Sequence, residues 1–364
     1  MIGRNKLIFY ARRALWIFIA WVTLSLLIFF YEYVTLISHR ALTSDYDLTS
    51  ALTAYLIVSV SASIIGGVFT VNLMEYWLRR FAFWKALVLI IIVYTIVSLF
   101  LGSLGSLYLS GQELELPMFH EEVVEELFLF YGKAIFLKNY FLWLLIVLVT
   151  LVVLMVNDKY GPGVFPDYLK GRYFRPKRER RIFMFADIKD ATTIAEVLGE
   201  AKYFNFLKDF FKYIAPAIIE TKGEVYQYVG DEIVVSWKIK KGLDKGNALR
   251  CFYKMKELIE KKSEHFQKHY DCVPQFKVGY HYGAVMVGEI GQIKRDIAFS
   301  GDVLNTTSRI QSKCNELGVD ILISEEFLKI NYILPEGIIA ENLGEKVLKG
   351  KAEKMNLVTF RNEI

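Results

Sequence analysis

Cysteine is scarce in this chain of 364 residues: there are three, Cys251, Cys272 and Cys314. Their spacings match no zinc pattern, and so few thiols cannot frame a disulfide scaffold. They read as free thiols of a reducing compartment. Seven prolines and 24 glycines are too few for a collagen-like chain. Charge is short in one half only, since ten of the 44 Lys and Arg precede Lys159. With 54% hydrophobic and 23% charged residues, the chain is neither wholly disordered nor wholly embedded in a bilayer. Length suggests about two domains, and the charge distribution places the division near residue 157.

What the first half does contain is four uncharged runs: Ala14–Tyr31, Leu48–Met74, Ala86–Gln112 and Asn139–Asn157. They are 18, 27, 27 and 19 residues long, and about 20 helical residues cross a hydrocarbon core. Four such runs with Trp and Tyr near several ends predict four transmembrane helices rather than the core of a soluble protein. The first run has no small-residue cleavage site after it, so a retained span is expected rather than a signal peptide. Arg4, Lys6, Arg12 and Arg13 precede the first run, and Arg79, Arg80 and Lys85 lie in the second connection. Lys170 to Arg181 follow the last run, whereas six Glu between Glu113 and Glu126 dominate the third connection. This bias predicts a multi-pass protein of the cell membrane with both termini cytoplasmic. Glu121 to Lys133 reads as an amphipathic helix on the membrane surface, with an external ligand-binding element as the alternative. No charge pair falls within the runs, so transport finds no support.

Residues 158–180 read as a juxtamembrane linker, because Pro162, Pro166 and Pro176 deny it one continuous helix. Its basic cluster, Lys170 to Arg181, is expected to meet anionic lipid headgroups rather than nucleic acid.

The remainder, 181–364, alternates strand and helix patterns. A strand over Arg181–Ile188 precedes a helical stretch from Thr192 to about Glu220, and Glu224–Trp237 folds into a hairpin at Gly230-Asp231. A second helix follows over Leu243–His269, then strands at Lys277–Tyr282 and Val285–Glu289. The pattern closes with a helix over Asp302–Leu317 and a strand over Asp320–Ser324. This order predicts an α+β domain with a ferredoxin-like βαββαβ core, an antiparallel sheet covered on one face by helices.

Asp187 closes the first strand and Asp231 sits at the hairpin tip, so the topology can bring both carboxylates to one sheet edge. Such a pair suits Mg²⁺ held jointly with substrate phosphates. Asn305 and Arg309 are four apart and share one helix face, a pairing that suits a ribose and a phosphoryl group. Lys349-Gly350 forms a late basic turn. Taken singly, each of these is as well explained by an ordinary turn or an exposed polar face.

Taken together and in this order, they resemble the class III nucleotide cyclases, the adenylate and guanylate cyclase family, from about Arg181 to Phe360. Asp187-Ile188-Lys189-Asp190-Ala191-Thr192 is similar to the family's Asp-Ile-x-Gly-Phe-Thr. Gln227-Tyr-Val-Gly230-Asp231 stands for Lys-x-x-Gly-Asp, and Gly301-Asp-Val-Leu-Asn305 through Arg309 for Gly-x-x-Val-Asn-x-x-x-Arg. The resemblance implies that Asp187, Asp231 and the carbonyl of Ile188 hold two Mg²⁺ or Mn²⁺ ions per site. It implies that Asn305 orients the ribose, that Arg309 stabilises the α-phosphoryl group, and that Lys349 and the amides near Thr192 cradle the outer phosphates. The nucleoside triphosphate site would be shared between two subunits of a homodimer.

Three departures stand out. Gln227 and Ala298 occupy the base-reading positions, where adenylate cyclases carry Lys and Asp or Thr. An amide can satisfy either purine, so ATP is expected from the family and GTP or a pyrimidine remains open. Asp190-Ala191 replaces Gly-Phe beside the phosphates. Two other readings compete: a diguanylate cyclase, echoed by Val229-Gly-Asp-Glu-Ile233, and a silent receptor with a cyclase-like domain. The lone glycine of that hairpin and the Asn305/Arg309 helix argue against the first, and retention of Asp187, Asp231, Asn305 and Arg309 against the second.

Overall fold

The computed structural model describes residues 4–42, 46–76, 83–160, 171–293, 296–330, 333–334, 337–351 and 354–362. Arg79, Arg80, Lys170 and the linker prolines at 162 and 166 lie outside the described residues. Two compact units form, Met1–Val156 and Asn157–Ile364.

In the first unit, α1 (Arg4–Ser38), α2 (Leu48–Tyr76), α3 (Phe83–Glu113) and α5 (Ala134–Tyr160) contain the four apolar runs. All four are long and apolar enough to cross a membrane. Between α3 and α5, α4 (Glu121–Gly132) buries Val123 completely, and the Tyr131 hydroxyl donates to Leu99 O at 2.9 Å. Phe128 and Leu129 stay exposed beside it.

In the second unit, β1 (Lys177–Ile188) leads through α6 (Ala191–Leu198) and α7 (Glu200–Glu220) to the hairpin β2 (Glu224–Val229) and β3 (Glu232–Lys238). Next come α8 (Ile239–Leu243), α9 (Asn247–Glu260), α10 (Ser263–Tyr270), β4 (Phe276–Ile290) and β5 (Asp296–Ser300). The chain closes with α11 (Asp302–Leu317), β6 (Ile321–Ser324), α12 (Glu325–Ile330), β7 (Ile338–Val347) and β8 (Lys354–Asn362). The sheet order is β2-β3-β1-β4-β6-β8-β7, with β5 on β4. The β2-β3-β1-β4 part is the expected antiparallel βαββαβ core, but β6 joins β4 in parallel, so the whole sheet is mixed.

Period-two alternation assigns the two faces of β1. Ile182, Met184 and Ala186 pack under α7 and α9 with Phe206, Phe210, Leu249 and Phe252. Phe183 and Phe185 face the other way, towards Val234, Val285, Val287 and Val303. That second face was expected to lack a helix, and α11 covers it. Its approach needs a glycine: a Cβ on Gly279 of β4 would lie 2.4 Å from the backbone nitrogen of Gln311.

Four further boundaries differ from expectation. The helical stretch after β1 breaks at Gly199, whose φ of +73° favours glycine and ends α6. The Leu243–His269 stretch divides into α9 and α10 at Lys261-Lys262. One strand, β4, replaces two, because it pairs with β1 along twelve residues without a turn. Finally, β1 starts at Lys177, where charged residues conceal the strand pattern. Arg181, grouped by sequence with a lipid-facing basic cluster, is 1% exposed and belongs to the sheet.

Candidate active site

Strand β1 carries Arg181, Phe183, Phe185 and Asp187 along one face, so its two ends define the two ends of the site. At the C-terminal end, Asp187 pairs in register with Glu232 on β3 and with Lys277 on β4. Lys277 Nζ lies 3.2 Å from Asp187 Oδ2 and donates to Asn315 Oδ1 at 3.0 Å. Gln311 Nε2 donates to the same Asp187 oxygen at 3.1 Å. Gln311 and Asn315 are four apart, so one face of α11 clamps this carboxylate.

Asp231 is the second residue of the two-residue turn between β2 and β3. Burial, and then its hydrogen bond and charge repulsion with Asp187, push its carboxyl pKa up. Burial, then repulsion from Asp187 and Asp231, pushes Glu232 up to about 7. Asp187 and Asp231 therefore converge, and Lys277 alone does not balance the negative charge gathered there. This donor set fits a hard divalent cation, which takes carboxylate and carbonyl oxygens together with substrate phosphates. Among the described residues no group of three or more His, Cys, Asp or Glu side chains is placed to hold a metal ion. The Ile188 side chain is buried in the helix-side core, which leaves its carbonyl as the group available here.

At the other end of β1, the Arg181 guanidinium donates to Glu179 (2.9 Å), Glu224 (2.7 Å) and Ser236 (3.0 Å). It also lies 4.8 Å from the centre of the Phe299 ring. Burial alone would raise the Glu224 pKa, but the charges of Arg181 and Lys241 outweigh it and hold the carboxyl below its ordinary value. Arg181 thus fastens β1, β2, β3 and β5 together. The Phe299 N–H donates to the Tyr226 hydroxyl at 3.3 Å, and the two rings are 4.7 Å apart.

A β-bulge in β2 follows from the register: Val225 pairs with Val235 and Gln227 with Val234, so Tyr226 is an extra residue. Bulges re-aim side chains. Here the bulge turns Gln227 onto the Val234 face, the face that carries Asp187. Gln227 is exposed there. Ala298 pairs with Gly288 on β4, and alternation points it away from Phe299 and Ile297.

The remaining predicted residues sit on α11, in the β7–β8 turn and at the start of α6. Asn305 is exposed on α11. The Arg309 guanidinium lies against the β7–β8 turn, with Nη2 3.4 Å from where a Cβ on Gly350 would stand. Lys349 is exposed in that turn, and Lys351 Nζ closes it onto Asp302 at 2.7 Å. Thr192 is exposed in the first turn of α6, just after Asp190, whose φ is +54°.

The structure therefore joins Asp187 to Asp231 and Arg309 to the Gly350 turn, but it does not join these two groups within one chain. At 3.6 residues per turn, Arg309 and Gln311 are about 200° apart around α11. With Gln311 on Asp187, Arg309 faces away from that carboxylate. Sequence reasoning missed Lys277, Gln311 and Asn315. Their only signals were a lone Lys opening a strand and two amides at helical spacing.

Residues 176–361 match the adenylate and guanylate cyclase catalytic domain, and the chain belongs to that family. It is 33% identical over 208 residues to adenylate cyclase 2 of Rhizobium meliloti (strain 1021), covering 57% of each chain. It is 29% identical over 187 residues to an adenylate cyclase of Anabaena cylindrica, covering 49% of this chain and 36% of that one. The match thus spans just over half of the first relative and about a third of the second. A bacterial light-regulated adenylyl cyclase shares the fold at a TM-score of 0.51 and 20% identity, covering 62% of this chain and 65% of that structure.

Proposed function

We propose that this protein is a membrane-anchored adenylate cyclase, converting ATP to 3′,5′-cyclic AMP and pyrophosphate in a homodimer. Residues 1–157 serve as the anchor, 158–180 as the linker and 181–364 as the catalytic unit, with both termini in the cytoplasm. The observation that carries the reading is the convergence of Asp187 and Asp231 at one end of β1, with Arg309 turned away on α11. A chain so built owns two half-sites and needs a second copy to close either one.

Asp187, Asp231 and the Ile188 carbonyl would hold two Mg²⁺ or Mn²⁺ ions per site. Bound there, such ions lower the pKa of the ribose 3′-hydroxyl and neutralise the triphosphate. Lys277 and Gln311 hold Asp187 in one orientation, so its free oxygen is set before substrate arrives. Asn305 of the second copy orients the ribose. The 3′-hydroxyl releases its proton to water and its oxygen forms a bond to the α-phosphorus as the bond to the bridging α–β oxygen breaks, and pyrophosphate leaves. Arg309 of the second copy faces the α-phosphoryl oxygens, where a preorganised donor stabilises developing charge. Lys349, with the amides at the start of α6 near Thr192, holds the outer phosphates. The adenylate cyclase relatives support ATP as the substrate, and Gln227 and Ala298 are the residues proposed to meet the base.

The test is to incubate the purified protein separately with ATP, GTP, CTP and UTP, with Mg²⁺ or Mn²⁺, and to identify products by mass. Cyclic AMP is the expected main product. A folded dimer that makes no cyclic nucleotide from any of the four would refute the reading.

A further inference from the structure

Gln227 and Ala298 stand on the two strands that the sheet holds least. β2 ends the sheet order, and β5 lies off it, paired with β4. Neither residue fixes a base unaided. The exposed Gln227 amide presents a donor or an acceptor according to how it is turned, and Ala298 has no polar side-chain atom. Rejection of the wrong base needs polar groups held where the competitor leaves them unpaired. Selectivity at these positions therefore depends on how firmly the two strands are placed.

Their sequence neighbours supply that placement. Tyr226 precedes Gln227 and Phe299 follows Ala298. The Phe299 N–H donates to the Tyr226 hydroxyl at 3.3 Å, and the rings lie 4.7 Å apart, tilted at 57°. As the extra residue of the β2 bulge, Tyr226 has no partner on β3 and its side chain is re-aimed. Both rings pack on the Phe183 face of the sheet, and Gln227 stands opposite Val234 of that same face. Phe299 is itself anchored to β1: Phe183 meets it edge-on at 5.6 Å, and the Arg181 guanidinium lies 4.8 Å from its ring. The hydroxyl meets a main-chain N–H rather than a side chain, so it ties β2 to the backbone of β5 one residue from Ala298.

We propose that Tyr226 is a positioning residue for base selectivity: its tie to Phe299 sets the spacing of Gln227 and Ala298, and thereby the choice between adenine and guanine. That these two residues meet the base rests on the function proposed above; the tie itself does not.

Base preference is read on binding as well as on turnover. 3′-Deoxy-ATP and 3′-deoxy-GTP lack the attacking hydroxyl, so their affinities for the full chain in detergent with Mn²⁺ do not depend on catalysis. The unsubstituted protein should favour the adenine analogue. Tyr226→Phe keeps the ring and removes the hydroxyl, and it should lower that preference about fivefold. Tyr226→Leu also removes the ring and should lower it further, with kcat/KM for ATP over GTP moving in step. Tyr280→Phe is the control, because it takes another tyrosine hydroxyl from a backbone partner, Ala248 O at 2.8 Å, in the helix-side core. It should lower the melting temperature and leave the ratio unchanged. An unchanged ratio in folded Tyr226→Phe, an equal shift in Tyr280→Phe, or no preference in the unsubstituted protein would overturn the proposal. A ratio that shifts as expected in a protein making no cyclic nucleotide would overturn the proposed function and support the tie. Failure of both analogues to bind the folded protein would overturn both.

Discussion

If α11 presents Gln311 to its own Asp187 and Arg309 to a second chain, two inactive variants should repair one another. Asp187→Ala removes the clamped carboxylate, and Arg309→Ala removes the donor proposed to face the α-phosphoryl group. Loss of one preorganised donor costs about 2.7–4 kcal/mol, or roughly 10²–10³ in rate, so either variant alone should be nearly silent. In a mixed dimer, one site receives both defects. The other combines the intact Asp187 of the Arg309→Ala chain with the intact Arg309 of the Asp187→Ala chain.

Random re-pairing of equal amounts gives half mixed dimers with one working site of two. The mixture should therefore recover about a quarter of the activity of the unsubstituted protein, as two-fold symmetry requires. The assay is cyclic AMP production before and after the two full-length variants, carrying different affinity tags, are mixed in detergent and returned to vesicles. Sequential pull-down through both tags counts the mixed dimers. Mixed dimers that form but leave activity at the level of the separate variants would refute the shared site. Substantial activity in either variant alone would refute the assigned roles.

Three other outcomes follow from single contacts. Glu224→Gln should destabilise the catalytic unit by about 2 kcal/mol, the worth of a hydrogen bond between charged groups, read as a fall in melting temperature. The folded-state pKa of Glu224 is lowered, so its stabilisation is full above the unfolded value and lost as pH falls through the folded one. The difference from the unsubstituted protein should accordingly shrink in acid, and a difference constant with pH would reject the ion pair as its source. Gly279→Val should force α11 off β4, since even a Cβ would lie 2.4 Å from Gln311 N. Overpacking of this kind costs about 1–3 kcal/mol, and activity should fall with it because Gln311 and Lys277 orient Asp187; full activity at normal stability would contradict this. Gln227→Lys combined with Ala298→Asp should sharpen the ATP-over-GTP preference by about tenfold for each well-made hydrogen bond, read as kcat/KM. An unchanged ratio in an active double variant would show that these positions do not read the base.

Much of this was legible because it depends on pattern over many residues. The four apolar runs, the alternation in β1 and the Gly230-Asp231 turn each announce their structure locally, and Asp187 and Asp231 follow from the topology those elements imply. What stayed hidden depends on tertiary partners. Arg181 looks like one more cation in a basic cluster, and only Glu224 and Ser236, far along the chain, make it a buried tie. Gln227 looks like an ordinary strand residue, and its direction is set by a bulge that no periodicity reveals. Lys277 was concealed in the same way, since a strand-opening lysine is ordinarily solvated. The α11 helix was legible as a helix with an Asn305/Arg309 face. That a different face would clamp Asp187 depends on Gly279 admitting the helix to the sheet.

That last contact also bears on regulation. The clamp from Lys277, Gln311 and Asn315 is made within one chain, so the carboxylate half of the site is set in a monomer. The Arg309 half is likewise set, against the Gly350 turn. If two copies share each site as proposed, what a monomer lacks is only the meeting of the two, which is a matter of concentration and orientation rather than of folding. Confinement in a bilayer raises the effective concentration of chains for one another without any new contact. An anchor can therefore raise or lower output by changing how its helices associate, while each half-site remains as built. On this argument the activity of the isolated catalytic unit should depend steeply on protein concentration and that of the anchored chain on its surface density. Equal specific activity per chain at all dilutions of the isolated unit would mean either that its dimer never dissociates or that one chain suffices. The mixing experiment above separates those two cases.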